Sequence, residues 1–497
     1  MNRRYELKIL SDNDVERIHQ ESLRILIEIG VKFPSKALLT AFKKLGAIVD
    51  FDTEVVKFPA KVIDNALKIH RDNTEQYFKD SGGFDESDYT QRFFMSGGNV
   101  KHTIDPVTHQ RKEGCLEDML KAIVVGNALK NVDRISAFMI PHEYDAKLAD
   151  IIQFYLLSLF SRKRHFFTYI YSLPSAKCLI EMARVVAETD RQFIDGSLIE
   201  YELEPTGHLQ FGRENIEIAA EFARNGMKIA TTHWGWMGYH SPVTYASLLA
   251  LTNAHILAGC VALIAMNPQN MFFRYIFPTH SVNRKDTNLP LMGNPNQIIF
   301  AWAARQLADF YGFKFCITNS GFSDAIEDNF QSGFEVGATA ALAVAAGVTC
   351  LGVKGIVGID QAVSLERLVT DNEMIDYLNF AFSRKLRVDD FCLDYESVKG
   401  TPIGGNFLKD LKNAERTKDT HWESDIFFSG SYGGWQQDFS RNKIKEKIGN
   451  ILGDGFPPKL VLDQKKADKL DSVMTEHIGE KGFVERLKKD LANIVDA

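Results

Sequence analysis

The sequence predicts an α/β fold of the (β/α)8, or TIM, barrel class, with a mixed helical cap ahead of the barrel and a helical extension behind it. Beyond about residue 135, short apolar runs of strand length alternate with longer runs of helical period, the pattern of parallel βαβ units. Seven such strand candidates follow one another. No Gly-x-Gly-x-x-Gly follows a strand to open a helix, which favours a closed barrel over an open nucleotide-binding sheet.

Residues 1–130 read as the cap. Leu10-Ser11-Asp12-Asn13-Asp14 signals a helix start, and Val15, Ile18, Leu23, Ile25 and Leu26 carry a helical period to about Glu28. Shorter helices are expected over Lys36–Leu45 and Pro59–Ile69. Asp80–Gln91 reads as a loop and Phe93–Asp105 as a hairpin turning at Gly97-Gly98. The barrel is assigned to 131–410. Its strands are expected at Ser136–Ile140, His165–Tyr171, Ser197–Leu203, Met227–His233, Met271–Phe277, Phe313–Asn319 and Val348–Lys354. The intervening helices are expected at Lys147–Phe160, Ser175–Glu188, Glu214–Asn225, Val243–Met266, Asn296–Tyr311 and Asp328–Ala346. An eighth strand falls near Glu396–Pro402, after a helix over Glu366–Phe382, or comes from the N-terminal part. Residues 411–497 form the extension, a linker at Gly455-Phe456-Pro457-Pro458 and then charged helices that pack on the barrel or on a neighbouring subunit, which leaves a homo-oligomer open.

Composition narrows the partners. The formal net charge is -7, so the basic footprint of a nucleic-acid binder is missing, and the cluster Arg162-Lys163-Arg164 reads as a solvated helix end. The N-terminus has no apolar signal region. The longest apolar stretches, Ala246–Met266 and Phe334–Val353, are interrupted by Asn253 and His255 in one and divided at Gly347 in the other, which points to buried barrel elements rather than membrane spans. Six cysteines without a Cys-x-x-Cys pair fit reduced thiols in a cytoplasm.

In a barrel the active site forms at the C-terminal ends of the strands, so the residues after each strand are the candidates. The fourth strand candidate runs into His233-Trp234-Gly235-Trp236-Met237-Gly238-Tyr239-His240, where aromatic rings beside glycines suit a wall for a quaternary ammonium group. The alternative is a loop whose tryptophans are core. Tyr169 and Tyr171 end another strand and complete an aromatic box. Arg274 and His280, in and after the fifth strand, suit a substrate carboxylate, unless Arg274 points outward among helices. Ser320-Gly321-Phe322-Ser323-Asp324 follows the sixth strand, where Ser323 or Asp324 also serves as a helix cap.

Other chemistries lack their signals. There is no P-loop, and Asp419-x-His421 lacks the glycine of a cobalamin-binding motif. No His-x-Cys with a distant Cys marks a thiol-activating zinc site, although Cys316 and Cys350 fall in adjacent strand candidates. No metal ligands are assigned.

Several stretches resemble the trimethylamine methyltransferase family. Ile25–Phe33 with Lys57–Leu67 is similar to its start, and so is Gly97-Gly98-Asn99 leading to Asp105. Ser241-Pro242-Val243-Thr244 with Asn253-Ala254 is similar to its Gly-x-x-x-Pro-Val-Thr stretch. Ser320–Phe334 resembles it most, with Gly321-Phe322-Ser323-Asp324 followed by Asp328, Gln331, Gly333 and Glu335. Thr370-Asp371-Asn372-Glu373 and Gly404-Gly405-Asn406-Phe407-Leu408 fit later stretches. The resemblance runs from about residue 10 to 410. Two departures stand out: His255 where the family often has Glu, and Lys412-Asn413 where it has His-Thr.

The resemblance implies a (β/α)8 barrel methyltransferase. The family's archetype carries pyrrolysine just before the Ser-Asp of this loop, and here that position is Phe322. Relatives without pyrrolysine imply a donor that is a small quaternary amine such as glycine betaine. They also imply an acceptor that is the cobalt(I) of cobalamin on a separate corrinoid protein, with no cofactor held by this chain. On this reading Phe322, Trp234, Trp236, Tyr169 and Tyr171 cage the ammonium, with His233 and Tyr239 in the same wall. Arg274 or His280 holds a carboxylate, Asp324 and Gln331 shape the loop, and His255 is a structural histidine. A non-catalytic binder of quaternary amines and a metal-dependent barrel that methylates a thiol are the competing readings.

Overall fold

The computed structural model describes residues 7–80, 92–95, 100–136, 138–165, 167–271, 274–313, 315–348, 350–383, 388–409 and 411–495. Among the described residues, eight strands run parallel: β1 (Arg92–Met95), β2 (Arg134–Ile135), β3 (Arg164–His165), β4 (Tyr201–Leu203), β5 (Ile229–Thr231), β6 (Arg274–Ile276), β7 (Phe315–Ile317) and β8 (Cys350–Val353). Each is followed by a helix: α1 (Leu116–Ala128), α2 (Ala149–Phe160), α3 (Leu173–Val186), α4 (Arg213–Arg224), α5 (Tyr245–Met266), α6 (Asn296–Phe310), α7 (Phe330–Ala345) and α8 (Leu365–Ser383).

Parallel pairings join β6, β7, β8, β1, β2 and β3 in that order, and join β4 to β5. A parallel bridge between Thr232 and Ile276 links β5 to β6. The Glu200 amide donates to the Phe167 carbonyl at 3.0 Å, between β3 and β4. Successive contacts therefore lead from each strand to the next and return to β1.

The strand before α1 settles where the uncertain strand lies. Arg92–Met95 pairs with β8 on one side and β2 on the other, within the segment read as cap. Glu396–Pro402 holds a short helix, Tyr395–Gly400, instead. The hairpin expected over Phe93–Asp105 is corrected accordingly. Arg92–Met95 is a parallel strand, and His102–Ile104 makes its hairpin with Arg111–Glu113. The turn at Gly97-Gly98 and the loop over 81–91 lie outside the described residues.

Local chemistry sets the helix ends. Ser11 accepts from the Asp14 amide and Asp14 bonds back, a capping box that starts the first helix at Asp12. Thr244 caps α5 by accepting the Ser247 amide, and Asn329 starts α7 with a second capping box. Helix α5 is apolar on all sides, long and apolar enough by composition to cross a membrane, and 94% of its most apolar window is buried inside the protein. A helix apolar all round belongs in a core.

The N-terminal helices cover α5. Ser22 Oγ donates to the Ala250 carbonyl (2.8 Å), and His70 bonds the carbonyls of Cys260 and Asn270. Asn253, inside α5, is satisfied by Ser22, Tyr311 and Tyr275 at 2.7–2.9 Å, which is how a polar side chain survives there. The C-terminal helices Gln464–His477 and Phe483–Val495 pack on the same chain, with Tyr155 donating to Asp471 (2.7 Å) and Tyr144 to Asp490 (2.6 Å).

Candidate functional site

The loops after β5, β6 and β7 meet at the C-terminal ends of the strands. Gly235-Trp236 pairs in parallel with Thr279-His280, so the tryptophan loop and the His280 segment lie side by side. The Trp234 ring packs on His280 at 5.3 Å, and Asn319, just past β7, donates to His280 Nδ1 at 2.9 Å. His280 Nδ1 is thus an acceptor, and burial pulls the ring's pKa down to about 3, with His240 adding to the shift. His233 is buried against His255 (4.1 Å between centroids) and is pushed well below its usual range by burial and then by His255. His255 accepts the Leu209 amide through Nε2 (3.0 Å) and is lowered to about 3 by burial. These rings are neutral, and neutral imidazoles beside indoles make a wall that does not repel a cation.

Trp236 is half-buried and stacks on Tyr239 at 4.9 Å, and Tyr239 is 71% exposed at the outer edge. One face of Trp236 is thereby covered by Tyr239. Tyr169 and Tyr171 are half-buried after β3, and β4 stands between them and the tryptophan loop. The Tyr171 amide donates to Asp150 (3.0 Å).

Phe322 is buried in the loop after β7. The residues around it are fixed by one carboxylate. Glu335, on the second turn of α7, accepts from Ser323 Oγ (2.7 Å), from the Asp324 amide (2.8 Å) and from Gln331 (2.8 Å). Asp324 in turn accepts the Met292 and Gly293 amides at 2.7 and 3.0 Å. Gly293 leaves room for this arrangement, because a Cβ there would lie 2.7 Å from the Asp324 backbone nitrogen and 2.4 Å from Glu335 Oε2. Asp324 and Gln331 therefore hold loops in place, and Asp324 makes no helix cap. Burial raises the Asp324 pKa against the pull of those amides.

Arg274 is placed elsewhere. It is the first residue of β6, at the end of the strands opposite to the tryptophan loop, and it forms an ion pair with buried Glu200, which also takes Lys228 at 2.6 Å. The structure brings Trp234, Trp236, His233, Tyr239 and His280 together, with Phe322 on the neighbouring loop, and leaves Arg274 out of that group.

Three residues that sequence reading passed over stand at the same end. Glu202 and Glu204 alternate along and just past β4, and the Trp234 backbone amide bonds the Glu204 carboxylate. Burial pushes both up to about 7, and for Glu202 the neighbouring Glu204 adds to it. Lys354, the first residue past β8, lies with Nζ 3.7 Å from the centroid of the Phe322 ring. The signal was available: acids at every second position of an otherwise apolar strand point to one face. Among the described residues, no group of three or more His, Cys, Asp or Glu is arranged to hold a metal ion.

The family model described as Trimethylamine methyltransferase (MTTB) matches residues 1–480. Trimethylamine methyltransferase MttB of Desulfitobacterium hafniense is 23% identical, over 96% of this chain and 95% of that one. Glycine betaine methyltransferase of the same species is 21% identical, over 91% of this chain and 94% of that one. A crystal structure of Methanosarcina barkeri monomethylamine methyltransferase (MtmB) aligns with a TM-score of 0.41 at 12% identity, covering 90% of this chain and 96% of that one.

Proposed function

The chain belongs to the trimethylamine methyltransferase family, and from that premise we propose that it moves a methyl group from a small quaternary amine to the cobalt(I) of cobalamin on a separate corrinoid protein. The reading includes closure of the eight strands into a (β/α)8 barrel, supported by the sequence of contacts that returns to β1. The single observation that carries it is the bond from the Trp234 backbone amide to the Glu204 carboxylate at the C-terminal strand ends, with Glu202 two residues before it on the same strand face. Carboxylates and indole faces are what a fixed cation requires, each desolvated ring face contributing up to about 2 kcal/mol.

A trialkylamine is a poor methyl donor, because its leaving group is an amide anion unless nitrogen is first made cationic. A quaternary amine already carries the charge and leaves as a neutral tertiary amine. It needs a dry pocket that presents one methyl outward, and no proton from the protein. Phe322 fits that task, since its ring closes the pocket and supplies no electrophile. The corrinoid, when docked, supplies the nucleophile. The rim it would meet carries exposed Tyr239, Ile326, Phe330 and Phe334. The glycine betaine methyltransferase among the relatives supports a quaternary donor.

Purified protein incubated with glycine betaine and reduced cobalamin, free or on a corrinoid protein, is expected to yield dimethylglycine and methylated cobalamin. Demethylation of trimethylamine with no turnover of any quaternary amine would overturn the reading. Binding without transfer would make the chain a quaternary-amine binder.

A further inference from the structure

Resting on the quaternary-amine reading of this site, we infer that Lys354 is its anion-binding and specificity-determining residue, selecting donors that carry a carboxylate as well as a methylammonium group. The lysine is built into the site. It is 7% exposed, and its ammonium lies over the Phe322 ring at 3.7 Å. Its aliphatic stem crosses the bare α-carbon of Gly352, where a Cβ would come within 2.3 Å of Cε and 2.6 Å of Cγ. A side chain at 352 would push the ammonium off the ring. A Cβ at Gly321 would lie 3.4 Å from the Gly352 carbonyl, so the Phe322 loop and the end of β8 are also in close contact.

The charges around the strand ends are segregated. Glu204 stands just past the end of β4 with Glu202 two residues before it, and Lys354 stands just past the end of β8. Along the ring of contacts these strands are four apart in either direction. Between them, on the β5 to β7 side, lie the neutral rings of His233, Trp234, His280 and Phe322. A zwitterion matches that arrangement end for end, with its ammonium toward the acids and indoles and its carboxylate toward Lys354. A plain cation meets a like charge at the β8 end. Asp360 and Asp371 lie close enough to favour the lysine's charge, although Asp371 is already held by Arg367 (2.7 Å) and the Gly355 amide (3.0 Å). Burial lowers Lys354 to about 7, and a carboxylate brought beside it restores the ammonium form. Arg274, the other cation considered for this task, is occupied by Glu200 at the far end of the strands.

The test compares two donors that share a trimethylammonium head, glycine betaine with a carboxylate and choline without one. Calorimetric titration at pH 7 is expected to show the full-length protein binding glycine betaine at least tenfold more tightly than choline. Lys354→Met, which keeps the stem and removes the charge, is expected to abolish that preference while choline binds as before or more tightly. Lys354→Arg is expected to restore part of it. A wild-type protein that binds choline as tightly as glycine betaine overturns the assignment of Lys354 and leaves the quaternary-amine reading standing, and this comparison needs no variant to fold. A Lys354→Met protein that keeps the tenfold preference overturns it as well. Binding of neither compound overturns the quaternary-amine reading on which it rests.

Discussion

Arg274 is ion-paired to Glu200 at the N-terminal ends of β6 and β4, with Lys228 on the other carboxylate oxygen. All three side chains are largely out of water. Removing one member of a buried ion cluster leaves uncompensated charge and costs about 3–5 kcal/mol. Glu200→Gln removes the carboxylate that two cations share and is expected to lower the unfolding free energy by up to that amount, read by urea denaturation. Arg274→Met is expected to cost less, because Lys228 still neutralises Glu200. Neither substitution is expected to change the affinity for glycine betaine by more than about twofold. A large loss of affinity in Arg274→Met would return that residue to the site.

Asp324 connects the Phe322 loop to the segment at Met292-Gly293 through two backbone amides. Asp324→Ala leaves both amides without this acceptor, and each such loss costs about 1–3 kcal/mol where water does not replace it. The cost is expected to fall on the loop rather than on the whole fold. Limited proteolysis should cut near 284–294 faster in the variant, and the affinity for the donor should drop. Asp324→Asn keeps an oxygen acceptor and is expected to recover most of the wild-type behaviour.

Much of this was legible because it depends on periodicity. Each expected strand from 165 onward contains the observed one or, in the case of His165–Tyr171, begins on its last residue, and the helices between them fall within a few residues of their observed bounds. The first strand was not legible. Arg92–Met95 is short, lies beside a Gly-rich stretch that signals a turn, and is made a central strand only by β8 and β2, which are distant in sequence. The family-like residues at 328 and 370–371 were visible as a pattern but not as a structure. Asp328, Thr370 and Asp371 converge on or beside the fully buried Arg367, so that motif holds α7 to α8. Arg274 was misjudged because spacing places a residue on a face but does not say at which end of the strand it meets its partner. Glu202 and Glu204 escaped notice because a strand reading weighs the apolar positions and passes over the alternate ones.

The two acids on β4 predict a pH-dependent site. Both are raised to about 7, chiefly by burial. Their ionised forms hold a cation, so affinity for tetramethylammonium is expected to rise as pH increases through about 7 and to level off above it. If one proton controls binding, the slope below the midpoint is about tenfold per pH unit. Tetramethylammonium carries no carboxylate for Lys354, and Lys354→Met removes the lysine's own loss of charge near pH 7 from the profile. Glu204→Gln is expected to bind it more weakly at pH 8 and with a flatter profile. Affinity that falls with rising pH would exclude these carboxylates as the cation's partners.

His255 predicts a term in acid stability. Its pKa falls from 6.5 in the open chain to about 3 in the fold, chiefly because it is buried, with His208 adding to the shift, and its Nε2 accepts the Leu209 amide. As pH drops below 6.5 the unfolded chain takes up a proton that the folded ring refuses. The stabilisation is therefore complete above 6.5 and is lost progressively toward pH 3, at up to about 1.4 kcal/mol per pH unit. Gln at this position can present an oxygen to the same amide without titrating. His255→Gln is expected to flatten the dependence of unfolding free energy on pH by about one proton between pH 6 and 4, measured by urea denaturation across that range. Identical slopes in the two proteins would mean that His255 is protonated in the folded state, and that its Nε2 does not accept the Leu209 amide in solution.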